Sequence, residues 1–171
     1  MIRIAITGSE STGKSVLANQ LALHFKTVFV NEVAREYIYQ LKRAYTQNDL
    51  LIIARQQCKE EDLMIQHANK LLICDTTLLV IKVWSEFKYG TCDSWIINEM
   101  KKREYDLYLL CNIDLPWQPD NQREHPQSRQ ELFNIYHNEL IKEKVNYEIV
   151  SGMEQQRLHA AVKAIHAIIL M

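Results

Sequence analysis

The most constraining feature of the sequence is a glycine-rich run from Gly8 to Ser15, which fits the pattern G-x-x-x-x-G-K-[ST]. An apolar run from Ile2 to Thr7 precedes it, and apolar residues at helical spacing follow it from Leu17 onward. A strand, this loop and a helix in that order are the context in which the pattern binds phosphate, whereas a glycine turn that matches by chance would lack that context. The run therefore predicts a P-loop at the end of the first strand.

Each part of this P-loop has a chemical role at a nucleoside triphosphate. The glycines let successive N–H groups point at phosphate oxygens, and the following helix adds the positive end of its dipole. Lys14 is expected to reach the β- and γ-phosphates, and the Ser15 hydroxyl to bind the Mg²⁺ ion that accompanies ATP. The guanine-specifying run N-K-x-D is absent, which argues against a GTPase. ATP is the expected donor, and the preference between ATP and GTP stays open. The expected ATP-binding residues are Gly8, Glu10, Ser11, Thr12, Gly13, Lys14, Ser15 and, by analogy with the fold, Gly152.

The charge balance and the cysteines exclude several classes of protein. Lysines and arginines number 20 and acidic residues 21, so the overall charge indicates neither nucleic acid nor a membrane surface as a partner. The four cysteines are scattered without a C-x-x-C pair, which is typical of reduced thiols rather than of disulfides or a zinc site. No stretch fits a signal peptide or a membrane span. We therefore expect one domain, residues 1–171, in the cytoplasm.

Short apolar runs alternate with amphipathic segments along the chain, a pattern typical of βαβ units. After the first strand, the predicted strands are 28–30, 71–74, 107–111 and 147–150. Helical sequence follows each of them, so the strands are predicted to be parallel, with the connecting helices covering both faces of the sheet. The predicted fold class is a three-layer α/β domain with a five-stranded parallel sheet.

Two acidic residues follow predicted strands, Glu32 after the second strand and Asp75 after the third. The carboxyl ends of parallel strands face the ligand crevice, so both side chains are expected to point towards the nucleotide. One of them is expected to hold Mg²⁺ through water and the other to accept the proton of an acceptor hydroxyl. The sequence does not assign which does which. The structural alternative for each is a helix cap or a solvated turn residue.

A long polar segment, residues 114–128, contains all three prolines of the chain, and we call it the proline loop. Loops of this length in compact domains are commonly functional. Arg123 on the loop and Arg129 just after it can swing in to neutralise charge on a transferring phosphoryl group, which would make the loop a lid. The alternatives are that these arginines are solvated loop charges, and that Arg129 belongs to the following helix.

Several aromatic residues are candidates for stacking on a flat ligand ring. A cationic heteroaromatic ring would favour such contacts further, because the faces of aromatic rings attract positive charge. Ordinary core packing is the alternative, and the residues alone favour it for Trp84 and Tyr37. The candidates are Tyr37, Trp84, Tyr89 and Trp117.

Several runs together are more specific than the P-loop alone. These runs are 8–15, 31–37, 73–76, 82–86, 105–110 and 116–117, followed by Asp120 and Arg123. They combine A-R-E-Y after the second strand, K-V-W-S-E after the third and P-W in the proline loop. In this order, and over nearly the whole chain, they resemble the ribosylnicotinamide kinase domain of the NadR family of bacterial NAD-salvage regulators.

The resemblance implies a P-loop fold of the nucleoside and nucleotide kinase type, with the first strand central and an acceptor pocket under the lid. It implies transfer of phosphate from Mg·ATP to the ribose 5′-hydroxyl of nicotinamide riboside, giving nicotinamide mononucleotide. The catalytic residues expected on this basis are Lys14, Asp75, Arg123 and Arg129, with Ser15 and Asp75 at the metal. The expected acceptor-side residues are Glu32, Arg35, Tyr37, Asp75, Trp84 and Trp117.

The sequence departs from the family at two points. Ser9 stands where relatives often have proline, a change expected to be harmless because that position offers mainly its backbone. The DNA-binding and adenylyltransferase domains of the regulator have no counterpart, so we expect neither transcriptional repression nor NAD synthesis from the mononucleotide. Two other functions stay open: a kinase for another nucleoside or small phosphate acceptor, and an ATP-sensing module without useful turnover. The oligomeric state is also open.

Overall fold

The computed structural model describes residues 1–170, which fold into a five-stranded, all-parallel sheet flanked by seven helices. The strands are β1 (Ile2–Thr7), β2 (Phe29–Val30), β3 (Leu71–Asp75), β4 (Leu107–Cys111) and β5 (Tyr147–Val150). The helices are α1 (Lys14–Phe25), α2 (Val33–Gln40), α3 (Gln47–Met64), α4 (Leu78–Tyr89), α5 (Ser94–Met100), α6 (Arg129–Glu143) and α7 (Gln155–Ile169). The predicted fold class is thereby confirmed.

The strand order β2-β3-β1-β4-β5 places β1 at the centre, as expected. The register sets Ile6 of β1 beside Asp75 of β3 and Leu109 of β4. Because all strands run in one direction, their carboxyl ends share one edge of the sheet, where ligands bind in open α/β folds. The P-loop, Glu32, Asp75, the proline loop and Gly152 all follow these strand ends.

Helices cover both faces of the sheet. On one face, α1 and α7 contribute the fully buried Leu21 and Ile165 to a core shared with Ile6. On the other face, α6 contributes Leu140 to a core shared with Ala5, and α4 packs in the same cluster. Neighbouring residues of β1 therefore face opposite cores, which explains why Ile4, Ala5 and Ile6 are all apolar rather than alternating with polar residues.

The cysteines are all free, and Cys58, Cys74 and Cys111 are buried. Burial raises the pKa of the Cys111 thiol to about 11, so this side chain behaves as a small apolar core residue. Within residues 1–170, no helix combines the length and the apolar character needed to cross a membrane.

Candidate active site

The P-loop curls between β1 and α1 in a conformation that requires its glycines. Gly8 has φ +136°, and a Cβ there would lie 3.0 Å from the carbonyl oxygen of Cys111. Gly13 has φ +77° and caps the start of α1. The Lys14 amine lies 3.0 Å from the carbonyl oxygen of Gly8 and 2.9 Å from that of Ser9. The lysine is therefore held by the loop's own carbonyl groups.

Asp75 is the most perturbed acid of the site. It is 1% exposed, and its Oδ1 atom has no hydrogen-bond partner among the described residues. Burial, followed by the nearby charge of Glu32, raises the pKa of Asp75 to about 6, against a smaller opposing effect of the Ser15 hydroxyl beside it. The structure thus brings together the carboxylates of Asp75 and Glu32 and the hydroxyl of Ser15, which are far apart in the sequence.

A magnesium ion fits the Ser15 and Asp75 pair. Mg²⁺ prefers hard oxygen ligands, keeps several waters, and commonly uses one or two protein groups together with substrate phosphates. Asp75 offers an unpartnered buried oxygen beside the Ser15 hydroxyl. In residues 1–170, no group of three or more His, Cys, Asp or Glu side chains could hold a metal without such help. The residues therefore suit an ion that arrives with the nucleotide.

A cavity of about 100 Å³ opens beside the P-loop, and both charged and apolar side chains line it. The charged residues among them are Glu10, Lys14, Glu32, Arg35 and Arg123. The apolar and aromatic residues include Val80, Trp84, Phe87, Leu132 and Tyr136. Burial raises the pKa of the Tyr136 hydroxyl, which therefore stays neutral. We call this the acceptor cavity, because Glu32, Arg35 and Trp84, three of the residues expected on the acceptor side, line it.

Arg35 lines the acceptor cavity and also binds the proline loop. Its Nη1 atom donates to Asp120 Oδ2 over 2.8 Å. This hydrogen bond raises the pKa of Arg35 and lowers that of Asp120, and the charges of Glu32 and Asp75 also raise the pKa of Arg35. The guanidinium is thus close to both candidate acids and stays protonated.

The proline loop is docked on the P-loop. The Glu10 carboxylate accepts the backbone N–H groups of Glu124 and His125, each over 3.1 Å. The Ser11 hydroxyl accepts the N–H of Gln118 over 2.8 Å. Glu10 stays a predicted ATP-binding residue through its backbone N–H, and its side chain holds the proline loop and lines the acceptor cavity. These contacts hold the proline loop against the P-loop.

Both candidate arginines reach the P-loop. Arg123 places Nη1 3.4 Å from the Ser11 hydroxyl and also donates to the carbonyl of Gln118. Arg129 is the first residue of α6, and its guanidinium donates to the carbonyls of Leu115 over 2.9 Å and Ser11 over 3.1 Å. Burial lowers the pKa of Arg129, and the charge of Arg123 adds to this effect. Arg129 is therefore fixed by the helix, and Arg123 is carried by the loop.

The two candidate tryptophans lie in different surroundings. Trp84 lines the acceptor cavity and donates its Nε1–H to the Tyr45 hydroxyl over 2.9 Å. Trp117 is not among the cavity's lining residues. It lies near Arg129, whose guanidinium carbon is 5.9 Å from the centre of the indole ring. The expected contact of Trp117 with the acceptor is therefore absent from this arrangement, because the loop turns the ring towards the arginine.

Tyr37 was also expected at the acceptor, and the structure turns it away. Its hydroxyl donates to Asp49 Oδ1 over 2.8 Å, and its ring packs in the cluster beneath α2 and α3. From the same helix, Ala34 and Ile38 line the acceptor cavity instead. The short helix α2 therefore directs Tyr37 towards α3.

Replacing Tyr37 by Phe tests this correction. We expect the free energy of unfolding in urea to fall by about 1 kcal/mol, because a hydrogen bond to the buried Asp49 is lost. The Michaelis constant for the acceptor should not change. Tyr39→Phe is the matched control, since Tyr39 is 79% exposed. A higher acceptor KM with unchanged stability would instead place Tyr37 at the acceptor.

A second cavity, of about 250 Å³, lies on the other side of the P-loop. Gly13, Pro116, Met153 and Arg157 are among the residues that line it. Gly152, the predicted resting place of adenine, does not line this cavity. Its N–H donates to Asp114 and its carbonyl accepts from Arg157, so it shapes the adjoining turn.

Several residues of the site were missed by the sequence analysis. Phe87 and Tyr136 follow helical spacing, which does not separate a core face from a cavity face. His125 comes two residues after Arg123, but a loop has no periodicity from which its direction could be inferred. The residues missed are Phe87, His125, Tyr136 and Arg157.

Several known proteins resemble this chain in sequence or in structure. A family profile described as an AAA domain matches residues 3–157. The chain belongs to the AAA domain family. It is 28% identical over 160 residues to the trifunctional NAD biosynthesis/regulator protein NadR of Escherichia coli strain K12, and 27% identical over 158 residues to that of Salmonella typhimurium. These matches cover 89% and 88% of the chain but only 38% of each relative's length. The resemblance to the NadR family is thereby confirmed.

Solved structures agree on the fold of this AAA domain family member. A NadR protein in complex with NR matches with a TM-score of 0.76 at 19% identity, covering 98% of this chain and 50% of that one. Thymidylate kinase from Ehrlichia chaffeensis matches with a TM-score of 0.67 at 13% identity, covering 98% of both chains. Deoxyadenosine kinase from M. mycoides with dCTP matches with a TM-score of 0.61 at 12% identity, covering 97% of this chain and 100% of that one. The chain therefore has a P-loop kinase fold.

Proposed function

We propose that this chain transfers the γ-phosphoryl group of ATP to the ribose 5′-hydroxyl of nicotinamide riboside, giving nicotinamide mononucleotide and ADP. The observation that carries the proposal is that Lys14 belongs to the P-loop and also lines the acceptor cavity. Phosphoryl transfer requires the donor phosphate and the acceptor hydroxyl to meet in one place, and catalysis is mostly positioning and charge stabilisation. The relatives' role in NAD biosynthesis and the bound NR of a structural neighbour support the choice of acceptor.

On the donor side, the P-loop N–H groups and Lys14 bind the phosphates of ATP. Ser15 and Asp75 hold Mg²⁺, which when bound neutralises charge on the phosphate oxygens. Arg123 and Arg129 bring further positive charge to the same oxygens. The adenine enters the second cavity, next to the turn at Gly152.

On the acceptor side, the ribose 5′-oxygen attacks the γ-phosphorus. The bond from that phosphorus to the β,γ-bridging oxygen breaks, ADP leaves, and the hydroxyl proton passes to a carboxylate. Glu32 lines the acceptor cavity, whereas Asp75 lies beside Ser15. This favours Glu32 for the proton and Asp75 for the metal. Arg35 stabilises the product phosphate.

The aromatic lining of the acceptor cavity supports a flat base. Trp84, Phe87 and Tyr136 line the cavity, and the faces of such rings attract cationic heteroaromatic rings. Glu10 and Glu32 line the same cavity together with Lys14, Arg35 and Arg123, so its charged residues do not select a cationic base by themselves. The choice of a pyridinium riboside therefore rests on the aromatic lining and on the resemblance to the NadR family.

ADP release tests the proposal. Mg·ATP is supplied with nicotinamide riboside, with each natural nucleoside, and without an acceptor. We expect fast release only with nicotinamide riboside, and its loss in Lys14→Met and Asp75→Asn. The control is Lys163→Met, because Lys163 is exposed on α7.

Each other outcome of this assay has a definite meaning. Release that depends on another nucleoside would keep the phosphate chemistry and overturn the acceptor. ADP release that does not depend on an acceptor would show ATP hydrolysis and overturn kinase function. No release with any acceptor would overturn kinase function and favour an ATP-sensing module.

A further inference from the structure

Arg157 is a buried charged residue that the proposed mechanism leaves without a role. It lies in the first turn of α7 and is 4% exposed. Its guanidinium donates to the carbonyls of Thr12 over 2.9 Å, Gly152 over 3.1 Å and Asn112 over 3.3 Å, and to the carboxylate of Asp114. A planar guanidinium with five donors can serve several acceptors at once, which a lysine cannot do.

These contacts join three separate segments around the donor site. Thr12 belongs to the P-loop, Asn112 follows β4, and Gly152 lies in the turn between β5 and α7. Asp114 neutralises Arg157, and its other oxygen accepts the N–H of Gly152 over 2.5 Å. Burying a guanidinium is unfavourable unless its charge and its donors are matched in this way.

The contact with Thr12 has a consequence for the P-loop backbone. In a trans peptide, the C=O and the N–H of one peptide group point in opposite directions. Holding the Thr12 carbonyl therefore fixes the direction of the Gly13 N–H. Within residues 1–170 this N–H has no hydrogen-bond partner, as expected of a group reserved for phosphate.

We propose that Arg157 is a positioning residue that holds the Thr12–Gly13 peptide so that the Gly13 N–H points at the β-phosphate of the donor nucleotide. Arg157 acts through the backbone and touches neither the phosphates nor the reacting atoms. The inference rests on the proposed function only in taking the P-loop as the nucleotide site, and it is independent of the acceptor.

The test measures the affinities of ADP, AMP and adenosine by calorimetry for the wild type, Arg157→Met and Arg157→Lys. We expect Arg157→Met to weaken ADP about tenfold, because a hydrogen bond to a charged group is misdirected. Arg157 also lines the cavity proposed for adenine, so AMP and adenosine should weaken by a smaller common factor, about twofold, since neither carries a β-phosphate. Arg157→Lys should restore part of the ADP affinity. Arg55→Met, at an exposed arginine of α3, is the matched control.

Two results would overturn the proposal. Equal losses for ADP, AMP and adenosine would place the role of Arg157 at the base cavity or in the stability of the whole fold. Unchanged ADP affinity would show that the peptide keeps its orientation without the guanidinium. If Arg157→Met does not fold, the ratio of ADP to AMP affinity in Arg157→Lys carries the same test. A wild type that binds no ADP would refute the proposed function itself, which is a different result.

Discussion

Replacing Asp75 by Asn is expected to make the metal-free protein more stable while removing most of its activity. Burial and the charge of Glu32 raise the pKa of Asp75 from 3.8 to about 6. At neutral pH the folded protein therefore holds a carboxylate in a place that disfavours its charged form. A shift of this size corresponds to about 3 kcal/mol of unfolding free energy.

The pH dependence of this gain follows from the direction of the shift. The stability that Asp75 contributes is fully present below pH 3.8 and is lost as the pH rises through about 6, because only the folded state then keeps the proton. Asparagine has no such loss. The melting temperature of Asp75→Asn should therefore exceed that of the wild type by roughly 6–12 °C at neutral pH, and the difference should shrink towards pH 4. Thermal denaturation in EDTA across this range measures it.

Activity and a matched variant complete the test. We expect kcat to fall about 10²- to 10³-fold in Asp75→Asn, as is usual when a group that stabilises transition-state charge is removed. Glu32→Gln should lower the pKa of Asp75, since the charge of Glu32 helps to raise it. In the Glu32→Gln protein, Asp75→Asn should therefore raise the melting temperature by less than it does in the wild type. An Asn variant that melts with the wild type at pH 7.5, or that keeps its activity, would contradict this account of Asp75.

The edge of the sheet that carries the site could be predicted because local rules determine it. Gly8 and Gly13 are required by the backbone of the P-loop itself, and the β1 run before them is apolar on both faces. Asp75 and Glu32 follow from the rule that parallel strands end at the ligand crevice. These inferences need only the order of elements along the chain, and the sequence states that order directly.

The direction of individual side chains could not be predicted in the same way. Tyr37 and Ile38 are consecutive residues of α2, so their side chains point about 100° apart. Ile38 lines the acceptor cavity, whereas the Tyr37 hydroxyl binds Asp49 of α3. Trp117 lies on a loop, and its partner Arg129 is fixed by a helix whose start could not be located from periodicity. Such contacts depend on elements that are distant in sequence. A motif shared with a family therefore predicts which residue is present but not the direction in which its side chain points.

Replacing Lys14 by Met is expected to lower kcat/KM about 10³-fold, because a charge-assisted contact to the transferring phosphate is lost. Within residues 1–170, the amine donates to the carbonyls of Gly8 and Ser9 alone, so the unfolding free energy should change by no more than about 1 kcal/mol. The measurement pairs steady-state kinetics with urea denaturation, and Lys163→Met is the control.

The division of this loss between kcat and ATP affinity separates an enzyme from a sensor. In a kinase, charge on the γ-phosphate oxygens redistributes during transfer, so Lys14 should stabilise the transition state more than bound ATP, and kcat should fall further than ATP affinity. A sensor would need Lys14 only for binding. Its Lys14→Met variant would lose ATP affinity, and the wild type would show no turnover against which kcat could fall. In the Asp75→Asn background, Lys14→Met should lower kcat by a much smaller factor than in the wild type. The reason is that the effects of groups that act together on one phosphate are not additive.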